Sequence, residues 1–263
     1  MWIDTHCHLD ASEFAGEPDA IAARAAGLRV SRIVIPAVER SNFTAVRELA
    51  RRNANCAYAL GIHPMYVQDA GEDDLGALRE AIGQARDDPR FVAVGEIGLD
   101  FFVPGLGEGP MRERQEFFFS EQLKIARDFN LPVLLHIRRA QDTILKFLRR
   151  FPVPGGIAHA FNGSKQQADA FIGLGFKLGF GGAMTFPRAL QIRALAAELP
   201  QDAIVLETDA PDIPPAWIPR QRNTPEELPR IGQVLAELRG LDIESIAQIT
   251  SDNARTVLPR LAA

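Results

Sequence analysis

Five histidines stand in this 263-residue chain, and two of them, His6 and His8, open it within Trp-Ile-Asp-Thr-His-Cys-His-Leu-Asp. On an extended segment side chains alternate faces, so the two imidazoles share one face and Cys7 takes the other. Two imidazoles so spaced can hold one metal ion between them. His63, His136 and His159 each close a short apolar run, and none of the five falls in a helical pattern. Two acids occupy similar places: Glu96 in Val-Gly-Glu-Ile-Gly-Leu-Asp and Asp209 in Glu-Thr-Asp-Ala-Pro. A fold that gathers the ends of these runs gathers a metal site.

The runs recur as a unit of apolar stretch, loop and helical pattern. They are read at Trp2–His6, Arg32–Ala37, Cys56–His63, Phe91–Glu96, Pro132–His136, Gly156–Ala160, Phe176–Gly181 and Ala203–Glu207. Helices are expected over Pro18–Leu28, Ser41–Arg52 with Ser41 as N-cap, Asp73–Asp87, Arg112–Asn130, Gln141–Arg150, Ser164–Leu174, Arg188–Leu199 and Pro225–Arg239, followed by a tail over Ile243–Leu261. Ile-Val-Ile and Val-Leu-Leu suit strands buried on both faces. Eight strands, each followed by a helix, read as an α/β fold of the (β/α)8 TIM-barrel type, with residues 1–263 as one domain. A doubly wound sheet fits less well, because no glycine fingerprint follows the first strand.

In a barrel the chemistry sits at the C-terminal ends of the strands. Six candidate ligands fall there: His6, His8, Glu96, His136, His159 and Asp209. A single zinc takes three or four protein ligands, so six suit two ions that share a bridging carboxylate. Glu96 is the expected bridge, because it stands between the His6/His8 side and the His136/His159 side. Mixed imidazole and carboxylate donors suit zinc, manganese or iron better than calcium. Asp209 is ligand, general base, or both. Glu207 and Asp4, each two residues before a ligand, either orient that ligand or are buried structural acids. His63, in Gly-Ile-His-Pro, is assigned to substrate or leaving-group contact, with a structural role as the alternative. Arg138 shares the face of His136 and suits a phosphate or carboxylate, or else pairs with a rim acid such as Asp100. A helix start at Gly163-Ser164-Lys165 is a further possible anion contact. Arg220, Arg222 and Asn223 form a candidate rim.

Bulk properties narrow the field. Hydrophobic residues make up 46% and charged residues 24%, ordinary for a globular protein. No apolar run approaches the roughly 20 residues of a membrane span. No basic-then-apolar leader precedes His6, so the start is expected to be mature sequence and the location cytoplasmic. The two cysteines, Cys7 and Cys56, are expected as buried free thiols. A net charge of −5 gives no long-range electrostatic case for nucleic acid, although a bound metal or a local basic rim can hold a phosphate.

His-Cys-His-Leu-Asp, Gly-Ile-His-Pro, Gly-Glu-Ile-Gly-Leu-Asp, Leu-Pro-Val-Leu-Leu-His-Ile-Arg, His-Ala-Phe-Asn-Gly-Ser and Leu-Glu-Thr-Asp-Ala-Pro, in this order, resemble the TatD family of metal-dependent hydrolases, a branch of the amidohydrolase-like TIM barrels. The resemblance implies two divalent ions (zinc, manganese or magnesium) on His6, His8, Glu96, His136, His159 and Asp209. It implies phosphodiester hydrolysis, with 3′-to-5′ exonuclease action on single-stranded DNA described for some members, and single-stranded DNA or another phosphodiester as the partner; no membrane is expected and no protein partner is inferable. The alternative activity for the same machinery is hydrolysis of a small amide, lactone or ester; a non-catalytic metal scaffold is the third reading. One departure follows Asp100, where Phe-Phe-Val-Pro-Gly replaces the aromatic and basic residues common in the family. Phe101 and Phe102 are expected to pack under that loop, with stacking on a base as their alternative role.

Overall fold

Eight apolar segments pair side by side in chain order: β1 (Trp2–Asp4), β2 (Val30–Pro36), β3 (Cys56–Leu60), β4 (Phe91–Asp100), β5 (Val133–Arg138), β6 (Gly156–Ala158), β7 (Phe176–Phe180) and β8 (Ile204–Leu206). Every pairing is parallel. Between and after them run α1 (Pro18–Gly27), α2 (Phe43–Arg52), α3 (Glu72–Ala85), α4 (Gly109–Asp128), α5 (Gln141–Arg150), α6 (Lys165–Gly173), α7 (Leu190–Glu198), α8 (Leu228–Arg239) and α9 (Ile243–Val257). This computed structural model describes residues 1–262, and its fold is the expected (β/α)8 barrel. No helix among the described residues is long and apolar enough to cross a membrane.

The barrel closes just beyond the ends of β8 and β1. Thr5 N–H donates to the Leu206 carbonyl (3.1 Å), Asp209 N–H to that of His6 (2.8 Å) and His8 N–H to that of Ala210 (2.8 Å). The closing seam therefore joins His6, His8 and Asp209 through their backbones. Side-chain alternation builds two layers. Ile3, Val34, Leu134, Ile157 and Val205 form one cluster with Ala57 and Ala59, while their neighbours Ile33, Ile35, Val133, Leu135, Ile204 and Leu206 pack in the other, with the helices. Leu258 and Leu261 join the inner cluster. Nearby, the Arg260 guanidinium donates to the Asp88 carbonyl (2.9 Å), just ahead of β4, so this tail plugs the foot of the barrel.

Several expected boundaries are corrected. β4 runs on to Asp100 and β5 to Arg138, so Glu96 lies within a strand rather than at its end. Gly98 permits this extension: at φ 150° a Cβ there would lie 2.0 Å from the His136 carbonyl oxygen, closer than any side chain tolerates. Conversely β1 stops at Asp4, β3 at Leu60 and β6 at Ala158, leaving His6, His63 and His159 just past their strands. Ser41 is not the cap of α2. It lies in a 3-10 turn, Arg40–Asn42, and the Asn42 side chain reaches back to accept the N–H groups of Val38 and Glu39 (both 3.2 Å). Both cysteines are buried and free, as expected.

Candidate metal centre

All five histidines converge on one carboxylate. Glu96 is 1% exposed, and its two oxygens divide the imidazoles between them. Oε2 lies 3.0 Å from His6 Nε2 and 3.3 Å from His8 Nε2. Oε1 lies 3.0 Å from His136 Nδ1, 3.2 Å from His159 Nε2 and 3.4 Å from His63 Nε2. Asp209 enters from the closing seam, with Oδ1 3.8 Å from Nε2 of both His6 and His8. Three overlapping donor groups result: His6, His8 and Asp209; His6, Glu96 and His159; His63, Glu96 and His136. Within each group the donor atoms lie within 4.8 Å of one another.

The donor set fits a cation. His6 Nε2 and His8 Nε2 face each other at 3.3 Å, and at most one of them can donate to the other. Nδ1 of His6 and of His159 are buried without a hydrogen-bond partner. Burial, reinforced by the charge of His159, pulls His6 down to about 3. Burial also pulls on His8, but the hydrogen bond and charge of Glu96 outweigh it and hold that ring up at about 9. Two adjacent rings are thus pushed in opposite directions, one by burial and the other by Glu96. Burial likewise acts to raise Glu96, yet the surrounding His6, His63 and His159 hold it well below the usual carboxylate range. A buried anion ringed by imidazoles, with no Arg or Lys pairing it among the described residues, fits the donor set of a metal ion.

Other side chains fix these donors in place. Asp100 is a site residue that the sequence reading assigned only as a rim partner for Arg138. Its Oδ2 meets His136 Nε2 at 3.0 Å, and its Oδ1 accepts the N–H groups of Phe102 (2.8 Å) and Val103 (3.0 Å). A usable signal was present: Glu96, Gly98 and Asp100 share one parity along β4. Glu207 is buried, accepts the Ala160 N–H through Oε1 and stands 3.5 Å from His159 Nδ1. Gly179 makes room for it, since a Cβ there would meet Glu207 Oε2 at 2.1 Å. Asp4 acts on the backbone instead: it accepts from the N–H groups of His6 (3.3 Å) and Thr208 (3.0 Å) and from the Thr208 hydroxyl (2.6 Å). Burial pushes its carboxyl up to about 7.

His63 lies deeper than a rim contact. It is 7% exposed, and its Nδ1 accepts the Met65 N–H (3.2 Å), which leaves the ring proton on Nε2, facing Glu96. Arg138 does not join the cluster, nor does it pair with Asp100. It is exposed, with its guanidinium 3.8 Å from the centre of the Phe102 ring. Phe102 itself is 43% exposed rather than packed under its loop, whereas Phe101 is partly buried beneath Arg112. The α6 start is occupied by its own cap, because the Ser164 hydroxyl accepts the Gln167 N–H (3.1 Å). Arg222 is committed to Glu17 and the Glu13 carbonyl. Asn223 is buried, donating to the Thr208 and Asp212 carbonyls, and so braces the loop after β8. Arg220 is exposed.

The TatD related DNase family model matches residues 3–259. The metal-dependent hydrolase YjjV of Escherichia coli K12 is 42% identical over 257 residues, covering 97% of both chains. Its crystal structure aligns with a TM-score of 0.92 over 98% of both chains, at 41% identity. The 3′-5′ ssDNA/RNA exonuclease TatD of Shigella flexneri serotype 5b is 32% identical over 261 residues, again covering 97% of each.

Proposed function

This chain belongs to the TatD related DNase family of metal-dependent hydrolases, and from that premise we propose that it cleaves phosphodiester bonds of single-stranded DNA, as a 3′-to-5′ exonuclease, with two divalent ions. The observation that carries the reading is the division of Glu96: one oxygen serves His6 and His8, the other His136, His159 and His63. A carboxylate so placed supports a bridge between two ions. His6, His8 and Asp209 would hold one ion and His136 and His159 the other, with zinc, manganese or magnesium as the metal. When bound, the ions supply positive charge to the attacking water and to the phosphoryl oxygens.

The chain's own groups do the rest. Asp209 is 14% exposed beside His6 and His8, so it is the carboxylate placed to take the water's proton. His63 is lowered to about 4 by burial and stays neutral, and its Nε2–H would turn from Glu96 to hydrogen-bond the leaving oxygen. Asp100 holds His136 in orientation through its second ring nitrogen, and Glu207 stands beside the second ring nitrogen of His159. Arg138 meets the substrate at the rim.

The test is to incubate metal-loaded protein with end-labelled single-stranded DNA and with bis-p-nitrophenyl phosphate. Both should be cut, and Asp209→Asn should lose both activities. If neither is cut, while a lactone or carboxylic ester panel is hydrolysed, the small-molecule reading replaces this one. The acidic side chains of Asp10, Glu13 and Glu39, in the loops after β1 and β2, are the feature that favours that second reading.

A further inference from the structure

Two exposed rings at the mouth are each tied to the cluster. Tyr66, 40% exposed, stands edge-on to His63 with ring centroids 6.1 Å apart, and its N–H donates to the His63 carbonyl (2.9 Å). Phe102 donates its N–H to Asp100, the same carboxylate that holds His136. Both rings therefore flank the His63–His136 half of the site, and both are fixed to it through short hydrogen-bonded paths.

Phe102 also carries two cations. A left-handed φ of 55° at Arg139 breaks the alternation that would send consecutive side chains to opposite faces. Both guanidinium groups consequently reach one ring, Arg138 at 3.8 Å and Arg139 at 4.6 Å from its centre. Neither has a carboxylate or other hydrogen-bond acceptor among the described residues, so their N–H forks are unspent. The far side of the mouth has the opposite sign. There the loops after β1 and β2 carry Asp10, Glu13 and Glu39, and their charges add to burial in raising the Tyr66 hydroxyl. A polyanion crossing this mouth is repelled over β1 and β2 and attracted over β4 and β5.

We infer, on the phosphodiesterase reading above, that Phe102, Arg138 and Arg139 form the subsite for the nucleotide next to the scissile phosphate. Its base lies on the aromatic–guanidinium stack and its phosphate on the free guanidinium forks. The strand leaves the site over β4 and β5, and the acidic side of the mouth holds no further nucleotide. An unstacked base is required, which a double helix does not offer, so the subsite selects single strands.

The test pairs binding with turnover in Phe102→Ala, Phe102→Trp, Arg139→Ala and the wild type. Anisotropy of fluorescein-labelled dT10 with metal-free protein should show about tenfold weaker binding for each alanine variant, and near wild-type binding for Phe102→Trp. In metal-loaded protein the ratio of kcat/KM on dT10 to that on bis-p-nitrophenyl phosphate should fall about tenfold, chiefly through KM. The inference is overturned if the alanine variants bind dT10 as the wild type does, or if both substrates lose activity in equal proportion. Wild-type protein that cuts bis-p-nitrophenyl phosphate without binding dT10 removes the subsite and keeps the phosphodiesterase. Protein that binds dT10 through Phe102 but cuts neither substrate removes the phosphodiesterase and keeps the subsite.

Discussion

Two buried carboxylates, Asp88 just ahead of β4 and Glu96 within it, are compensated in different ways. Asp88, just ahead of β4 at the foot of the barrel, accepts from the Tyr58 hydroxyl (3.1 Å), Arg51 Nε (3.1 Å) and the Arg90 N–H (3.0 Å), with Arg47 Nε 3.8 Å away. Burial acts to raise it, but the Arg90 N–H, Tyr58 and Arg51 outweigh that and hold it below the usual range. Glu96, at the mouth, has only imidazoles, two of which keep a buried nitrogen without a partner. Permanent cations and neutral donors settle the charge at the foot. At the mouth the compensation depends on what is bound. The foot is built for stability and the mouth for a ligand, which is the division of labour a TIM barrel allows.

The largest effect should come from Glu96→Gln. We expect activity to fall on the order of 10³-fold. Metal should be lost with it while the circular dichroism spectrum is kept; full activity in a folded variant would remove Glu96 from the site. Next is Gly179→Ala, which forces Glu207 from its place over Gly179. Metal affinity should fall about 10–100-fold while the circular dichroism spectrum is kept; unchanged affinity would leave Glu207 a structural acid. Asp88→Asn should act in the reverse sense, costing about 1–2 kcal/mol at pH 7 in urea unfolding, with activity retained. The folded pKa of Asp88 is depressed, so its contribution is full above about pH 4 and is lost as pH falls through the lower folded value. Wild type and Asp88→Asn should therefore converge in stability as pH falls through that lowered value; a gap that persists in acid would assign the loss to packing.

Much of this was legible in the chain because the barrel turns periodicity into position. Apolar runs marked the strands, and polar residues at their ends could lie only at the mouth. Legibility failed where one strand's length depends on its neighbour. β4 continues to Asp100 because Gly98 lets it approach β5, and nothing local to Gly-Leu-Asp states that closeness. For the same reason Asp100 was assigned to Arg138 instead of His136. Arg138 shares the parity of His136, yet it is the last residue of β5, and beyond the barrel wall its long side chain finds the Phe102 ring. Phe102, expected beneath the loop with base stacking as the alternative, is 43% exposed with two guanidinium groups over its ring. The closing seam was also invisible: it makes His6 and Asp209 backbone partners across nearly the whole chain.

The central claim is that Glu96 bridges two ions, and metal stoichiometry tests it most directly. Wild-type protein, saturated with zinc or manganese and freed of excess by gel filtration, is measured by inductively coupled plasma mass spectrometry beside Glu96→Gln. The account predicts about two equivalents in the wild type and less than one in the variant. One equivalent in the wild type, or two retained in Glu96→Gln, would contradict it.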